Sequence, residues 1–486
     1  MHRLIRIPGP YPPSPAAVLE ALPKEPGRVL LESSGGPEDL CLYSFATARP
    51  FAILTGRGDR YVLRTARSRS AFTGCPFAAL QQVVESFDAG LPRGQMGLAE
   101  PLADWTTFAG GGIGYLSYDL GRRVERLPTL ARDDLGLPEL WIAWYDAAVV
   151  LDHRRQEATV VGRVLPGRER AVADHVRFLL RALEAAAERP EQNSALLPER
   201  PALRSTFTRQ AYEAAVRRAI AYIRAGDIFQ VNLSQRFCAP WLLDPWLLYR
   251  RLRRINPAPF AAFLEGGRWA VASASPERFL RVDPLTRRVE TRPIKGTRPR
   301  GKIPEEDARY AHNLLASEKD LAELVMIVDL ERNDLGRVCE YGTVGVPELR
   351  RLEAYPTVWH TVAVVEGKLR PGIGPRQLLR ATFPGGSITG APKVRAMEII
   401  EELEPVRRGV YTGAIGWLGW DGALDLNIAI RTFVVKSGVA YFHTGGGIVA
   451  DSDPAAEYEE TLAKALGLVR ALGEGVADEA AIRVAQ

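Results

Sequence analysis

Lysine is scarce in this chain of 486 residues: of its 63 basic residues only eight are lysine, and none lies between Lys24 and Lys295. A chain that uses arginine for nearly every generic positive charge keeps lysine where an amine does something a guanidinium cannot, such as giving up its proton. Cysteine is equally sparse. Cys41, Cys75, Cys238 and Cys339 stand tens of residues apart with no C-x-x-C, which excludes a disulfide framework and a zinc-site spacing and leaves them as small core residues. No apolar run approaches the roughly 18 residues that a membrane span needs. Residues 1–13 carry four prolines where a signal peptide needs an unbroken apolar stretch. These gaps predict a soluble, cytoplasmic protein with no membrane partner. A dominant charge is also missing: the formal net charge is only +5, with the basic residues interspersed, so nothing here favours a nucleic-acid partner.

What is present is globular. With 46% hydrophobic and 25% charged residues the chain can bury a large core, and its length predicts more than one structural unit. Short β-like runs (Val29 to Glu32, Phe51 to Leu54, Leu140 to Leu151, Ala158 to Val164) lead to an amphipathic helix from Ala171 to Glu188. A polar, proline-bearing stretch follows and reads as a linker. The predicted division is an N-terminal region over 1–188, a linker over 189–204, a second region over 205–472 and a tail over 473–486. The second region opens with a helix from Thr208 to Ala225, capped by Thr208, and continues in alternating strands and helices.

Several segments could carry chemistry. Gly110 to Gly114 lacks the G-x-G-x-x-G spacing of a dinucleotide loop and is followed by strand-like alternation, so these glycines read as close backbone packing. Gly385-Gly386-Ser387-Ile388-Thr389-Gly390-Ala391-Pro392-Lys393 fails as a P-loop, since Ala391-Pro392 intrude before the lysine. With Pro392 at the first helical position it could still offer backbone N–H groups, a helix N-terminus and an ammonium to an anion; a plain glycine turn is an equal reading. Gly445-Gly446-Gly447, after a strand, could form a second nest of amides. Asp320 and Glu323 are three apart, and the apolar continuation Leu324 to Val328 predicts that Glu323 is drawn inside, where it needs a partner. Glu457, Glu460 and Lys464 share one helix face. Two carboxylate pairs without histidine or cysteine suit magnesium before zinc, although Glu457 to Lys464 also reads as a solvated face with an ion pair. In Thr291-Arg292-Pro293-Ile294-Lys295-Gly296-Thr297 the lysine is a candidate nucleophile if burial or a neighbouring positive charge frees its amine. Eighteen residues earlier, Ser275-Pro276-Glu277-Arg278-Phe279 offers a proton donor.

Taken in order, these segments resemble the chorismate-utilising enzymes: anthranilate synthase component I, aminodeoxychorismate synthase component I, and the isochorismate and salicylate synthases. The resemblance covers residues 205–470 and extends more thinly through Leu30-Leu31-Glu32-Ser33 and Gly114 to Asp119. It implies an α+β fold, a large antiparallel β-sandwich with surrounding helices, its N-terminal part intergrown with the chorismate-binding part. It implies Mg²⁺ held directly by Glu323 and Glu460 and through waters by Asp320 and Glu457. By the same resemblance Tyr411, Arg431, Gly445, Gly446, Gly447 and Lys464 hold the enolpyruvyl carboxylate, while His360, Gly386, Ser387, Thr389 and Gly390 line the ring. Glu277 matches the general acid. Where the water-activating members carry lysine, this chain has Gln230 on the substrate side, which favours ammonia as nucleophile. Lys295 stands where anthranilate synthases carry alanine. It resembles the aminodeoxychorismate branch, as does Asn256-Pro257-Ala258-Pro259-Phe260; anthranilate synthase component I is the alternative. With no G-x-C-x-G elbow in the chain, ammonia is expected from solution or from a glutamine amidotransferase subunit.

Overall fold

A computed structural model of the chain describes residues 4–87, 108–189, 202–473 and 484–485. Among them, 25 strands form one sheet of 13 strands and another of 12. Strand partners run antiparallel except where Leu203–Ser205 meets Val484–Ala485 in parallel. The period of two along each strand explains how the sheets join. Val29, Leu31, Ala262 and Leu264 of one sheet meet Ile113, Tyr115, Trp141, Ala143, Ile415 and Trp417 of the other in a shared interior. Their neighbours Leu30, Ala261, Phe263, Ile142 and Trp144 point to the opposite faces, where they pack in the larger cluster that includes helical residues such as Val18, Phe77 and Leu179. The predicted sandwich with outer helices is therefore the observed architecture.

The apolar run from Leu140 to Leu151 is two strands. Leu140–Tyr145 belongs to the 12-stranded sheet and Ala147–Asp152 to the 13-stranded one. The one acid between them, Asp146, is buried and takes Arg168 at 2.7 Å and His175 at 2.6 Å, so the chain crosses between sheets where its charge is satisfied. The helix after Thr208 spans Arg209–Arg224, and the Thr208 hydroxyl accepts from the Ala211 amide at 3.2 Å.

Strands from either side of the expected linker interleave. Val29–Glu32 pairs with Phe260–Glu265, and Gly111–Leu116 pairs with Ala414–Gly419. Most of the linker itself (190–201) and of the tail (474–483 and 486) lies outside the described residues. All four cysteines are free thiols, but only Cys339 is a core residue; Cys41, Cys75 and Cys238 are half-buried. Among the described residues no helix is long and apolar enough to cross a membrane.

Candidate active site

The predicted site residues come together where the two sheets and two helices meet. Strand Gln230–Pro240 pairs with Val439–Ile448, aligning Asn232 with Gly447, Leu233 with Gly446 and Ser234 with Gly445. The three glycines are thus strand residues, a correction to the expected amide nest: the strand continues through them to Ile448. A side chain here would collide. A Cβ at Gly447 would lie 2.5 Å from Gln230 Nε2, and one at Gly446 would lie 3.0 Å from Glu457 Oε2. At Gly390, with φ +150°, a Cβ would stand 2.1 Å from the Gln230 carbonyl oxygen. That contact lets Gly390–Ala391 pair with Gln230–Val231.

The loop before it is a 3-10 turn, Gly386–Ile388. Pro392 is the N-cap of helix Lys393–Leu403 and not its first helical residue. The Lys393 ammonium turns away to Asp334 and to the Thr382 carbonyl, so it is not offered to an anion at the loop. The Thr389 hydroxyl donates back to the Gly385 carbonyl at 3.0 Å.

Lys295, on strand Ile294–Pro299, donates from Nζ to the Ser387 carbonyl at 3.3 Å. Burial pulls its amine below the usual lysine range; Glu323 resists and Lys464 assists. Glu277 sits in the turn between Trp269–Ser275 and Arg278–Val282 and is 4% exposed. Burial pushes its carboxyl up to about 7, against the pull of the Ser387 hydroxyl, Lys295 and the Ile294 amide. A carboxyl whose pKa is raised and an amine whose pKa is lowered therefore share one site.

Gln230 lacks the partners that a buried polar group requires. Neither amide atom of the fully buried Gln230 is hydrogen-bonded. Arg431, half-buried and held at φ +50°, makes among the described residues one hydrogen-bond contact, 3.4 Å from its guanidinium to His360 Nε2, and burial lowers its pKa. His360 is kept neutral, down to about 3, by burial and by Arg431, while Thr297 bonds its Nδ1 at 2.8 Å. Tyr411 stacks on His443 at 4.8 Å. A half-buried guanidinium with no carboxylate partner among the described residues fits an anionic ligand.

The four carboxylates expected to hold a metal lie on helices Glu318–Gly336 and Pro454–Leu472. Among the described residues no cluster of three or more His, Cys, Asp or Glu is closed enough to hold a metal ion. Asp320 takes Arg298 at 2.8 Å, Glu457 accepts from Ser452 at 2.6 Å, and Glu460 pairs with Lys464 at 2.6 Å. The last is the intrahelical ion pair of the alternative reading, and Lys464 also donates to the Gly445 carbonyl at 2.9 Å. Glu323 is only half-buried, because its helix exposes Val325 and is not apolar all round. It has no hydrogen bond or ion pair among the described residues. Its pKa is raised by burial and by Asp320 and Glu460, against Lys295 and Lys319. Mutually repelling carboxylates, one without a partner, are a donor set that fits a hard cation.

Three residues were not anticipated. Glu331, two turns beyond Glu323, is buried, accepts from Thr291 at 3.1 Å and is pushed up to about 8, first by burial and then by Glu277. The i, i+8 spacing from Glu323 could have marked it. Arg408 is buried against Glu404 and donates to the carbonyls of Ile388 at 2.9 Å and Asn232 at 2.8 Å. Asn232 in turn donates to Ser387. A separate cavity of about 80 Å³ lies between the sheets, lined by Leu31, Glu32, Ser33, Pro259 and Arg278 among others, and contains none of the predicted site residues.

The chain matches the model of the chorismate binding enzyme family over residues 41–470. It is 48% identical over 369 residues to anthranilate synthase component 1 of Thermus thermophilus, covering 76% of this chain and 79% of that one. It is 40% identical over 447 residues to aminodeoxychorismate synthase component 1 of Escherichia coli, covering 92% and 93%. The crystal structure of anthranilate synthase component I from Streptococcus pneumoniae superposes with a TM-score of 0.77 at 32% identity, covering 88% of this chain and 92% of that one. The chain belongs to the chorismate-binding enzyme family and is a chorismate-utilising enzyme.

Proposed function

We propose that this chain is an aminodeoxychorismate synthase component I, which replaces the C4 hydroxyl of chorismate with an amino group and retains the enolpyruvyl side chain. The observation that carries the reading is the lysine at position 295, its Nζ docked on the Ser387 carbonyl at 3.3 Å, in one site with the buried Glu277, whose carboxyl is pushed up to about 7. The relatives divide between two names, and the amine at position 295 favours this one. Glu323 and Glu460 would hold Mg²⁺ directly, and Asp320 and Glu457 through waters. When bound, the cation would neutralise the ring carboxylate of chorismate.

Arg431, Tyr411, Lys464 and the backbone of Gly445 to Gly447 bind the enolpyruvyl carboxylate, with the Arg431 guanidinium suited to a two-point grip. The loop from Gly386 to Gly390, with His360 and Gln230, orients the ring. The Lys295 amine attacks C2 as the ring double bonds shift and the C4–O bond breaks. The Glu277 proton leaves with the hydroxyl as water. Ammonia then attacks C4, the C2–N bond to Lys295 breaks, and the Glu277 carboxylate takes the proton released from nitrogen. The ammonia comes from solution or from a glutamine amidotransferase subunit.

The test is incubation of the purified chain with chorismate, Mg²⁺ and ammonium, with and without excess chelator, and identification of the products. The expected product is 4-amino-4-deoxychorismate, formed only without chelator, and glutamine should not replace ammonium. Anthranilate and pyruvate would overturn the reading in favour of anthranilate synthase.

A further inference from the structure

We infer that Asn232 is a positioning residue for the Lys295 amine, acting through the carbonyl oxygen of Ser387. The inference rests on the proposed role of Lys295 as nucleophile. Two side chains converge on that oxygen: Lys295 Nζ donates to it at 3.3 Å and Asn232 Nδ2 at 3.2 Å. A carbonyl oxygen has two lone pairs, so the two donors fill it. The oxygen is itself fixed. Next along the chain, the Ile388 carbonyl accepts from Arg408 at 2.9 Å, and the Thr389 carbonyl accepts from the Asn232 amide at 2.8 Å. The Asn232 carbonyl accepts from Arg408 at 2.8 Å, and Glu404 holds the same guanidinium at 2.7 Å. Asn232 is thereby tied to the loop by backbone and side chain at once.

The consequence falls on a flexible side chain. The lysine stem has four rotatable carbons, and several polar groups stand near its nitrogen: Glu323, Glu277, Glu460 and Lys464. With Asn232 on one lone pair of Ser387, the amine can dock only on the other, and one N–H is committed there. The nitrogen lone pair is left for the substrate in one orientation, which is what a nucleophile needs for a near-attack geometry. Without Asn232 the amine can slide across the carbonyl or swing to a carboxylate.

The experiment is a double-mutant cycle in the ammonium-dependent reaction, measuring kcat and the KM for chorismate in the wild type, Asn232→Ala, Lys295→Ala and the double variant. Asn232→Ala should lower kcat by about tenfold or more and change KM by less than about threefold, because the carboxylate grips are untouched. Asn232→Leu, which keeps the side-chain volume, should show the same split and guards against a packing defect. Adding Asn232→Ala to Lys295→Ala should cost less than about twofold, since there is no amine left to position. Losses that multiply in the double variant would overturn the inference, as would a raised KM at unchanged kcat. An impaired Lys295→Ala beside an unimpaired Asn232→Ala would overturn it alone. Wild-type turnover in Lys295→Ala would overturn the nucleophile reading and this inference together.

Discussion

A carboxylic acid donates a proton at neutral pH only if its surroundings penalise the ionised form, and Glu277 meets that condition chiefly through burial. As pH rises through about 7 the donor is lost. At constant free ammonia that loss works against the gain in free Lys295 amine, so kcat/KM for chorismate should level off or fall above that point. Glu277→Gln should lose turnover by orders of magnitude, and wild-type turnover in that variant would remove Glu277 from the role. Glu331 poses a different question, since among the described residues no cation pairs with it and the nearby Lys393 is paired with Asp334. Unfolded, its carboxyl titrates near about 4.3; folded, near 8. Between those values the unfolded chain has released a proton that the folded one keeps, so this group lowers stability progressively as pH rises through the window. Glu331→Gln removes the penalty and still offers Thr291 an acceptor. Its thermal midpoint should exceed that of the wild type by more at pH 8 than at pH 5, and an equal gain at both would assign the effect to packing instead.

Among the elements, the strand pairings around the loop from Gly385 to Ala391 tolerate least. Gly390 holds φ +150° with a Cβ position 2.1 Å from the Gln230 carbonyl, so Gly390→Ala must part Gly390–Ala391 from Gln230–Val231. Backbone strain of this kind costs on the order of 1–3 kcal/mol. The expected result is a lowered thermal midpoint together with a severe loss of chorismate turnover; wild-type values for both would show that the loop can yield. How much of this was legible in the sequence differs by segment. The Thr208 cap and strand Val29–Glu32 could be read locally, because side-chain chemistry and period two act within a few residues. The crossing at Asp146 was hidden in one long apolar run, where a single acid is the whole signal and its partners, Arg168 and His175, lie 22 and 29 residues away. Gly445 to Gly447 read as a loop because glycine is weak in strands. Their strand is made by pairing with Gln230–Pro240, and they are glycine because Leu233, Ser234, Gln230, Glu457 and Glu460 crowd the positions a Cβ would take. The Lys393 ammonium was misplaced for a similar reason, since Asp334 is 59 residues distant.

At the scale of the whole molecule, the groups proposed to act on chorismate lie in residues 230–464, but the frame that holds them does not. Ser117 donates to the Gly409 carbonyl at 2.8 Å and Asp119 accepts from the Gly409 amide at 2.9 Å, one residue from the Arg408 that ties the loop at Ile388 to Asn232. Strand Val29–Glu32 covers one edge of Phe260–Glu265, and Gly111–Leu116 covers an edge of Ala414–Gly419. The inter-sheet core draws Val29, Leu31, Phe45, Ile113, Tyr115 and Trp141 from the first part and Leu264, Val271, Ile415 and Trp417 from the second. A fragment begun at residue 205 would leave two long strand edges unpaired and half of that apolar interior open to water, the conditions for aggregation. Residues 205–473 expressed alone should be insoluble or molten, with the near-ultraviolet circular dichroism of packed aromatics lost and no cooperative unfolding transition. Co-expression with residues 1–204 as a separate chain should restore solubility if the interface alone is what the fragment lacks. A soluble, monomeric 205–473 fragment that melts cooperatively and turns over chorismate would show that the catalytic half folds by itself, and that the interleaved strands do no more than cover it.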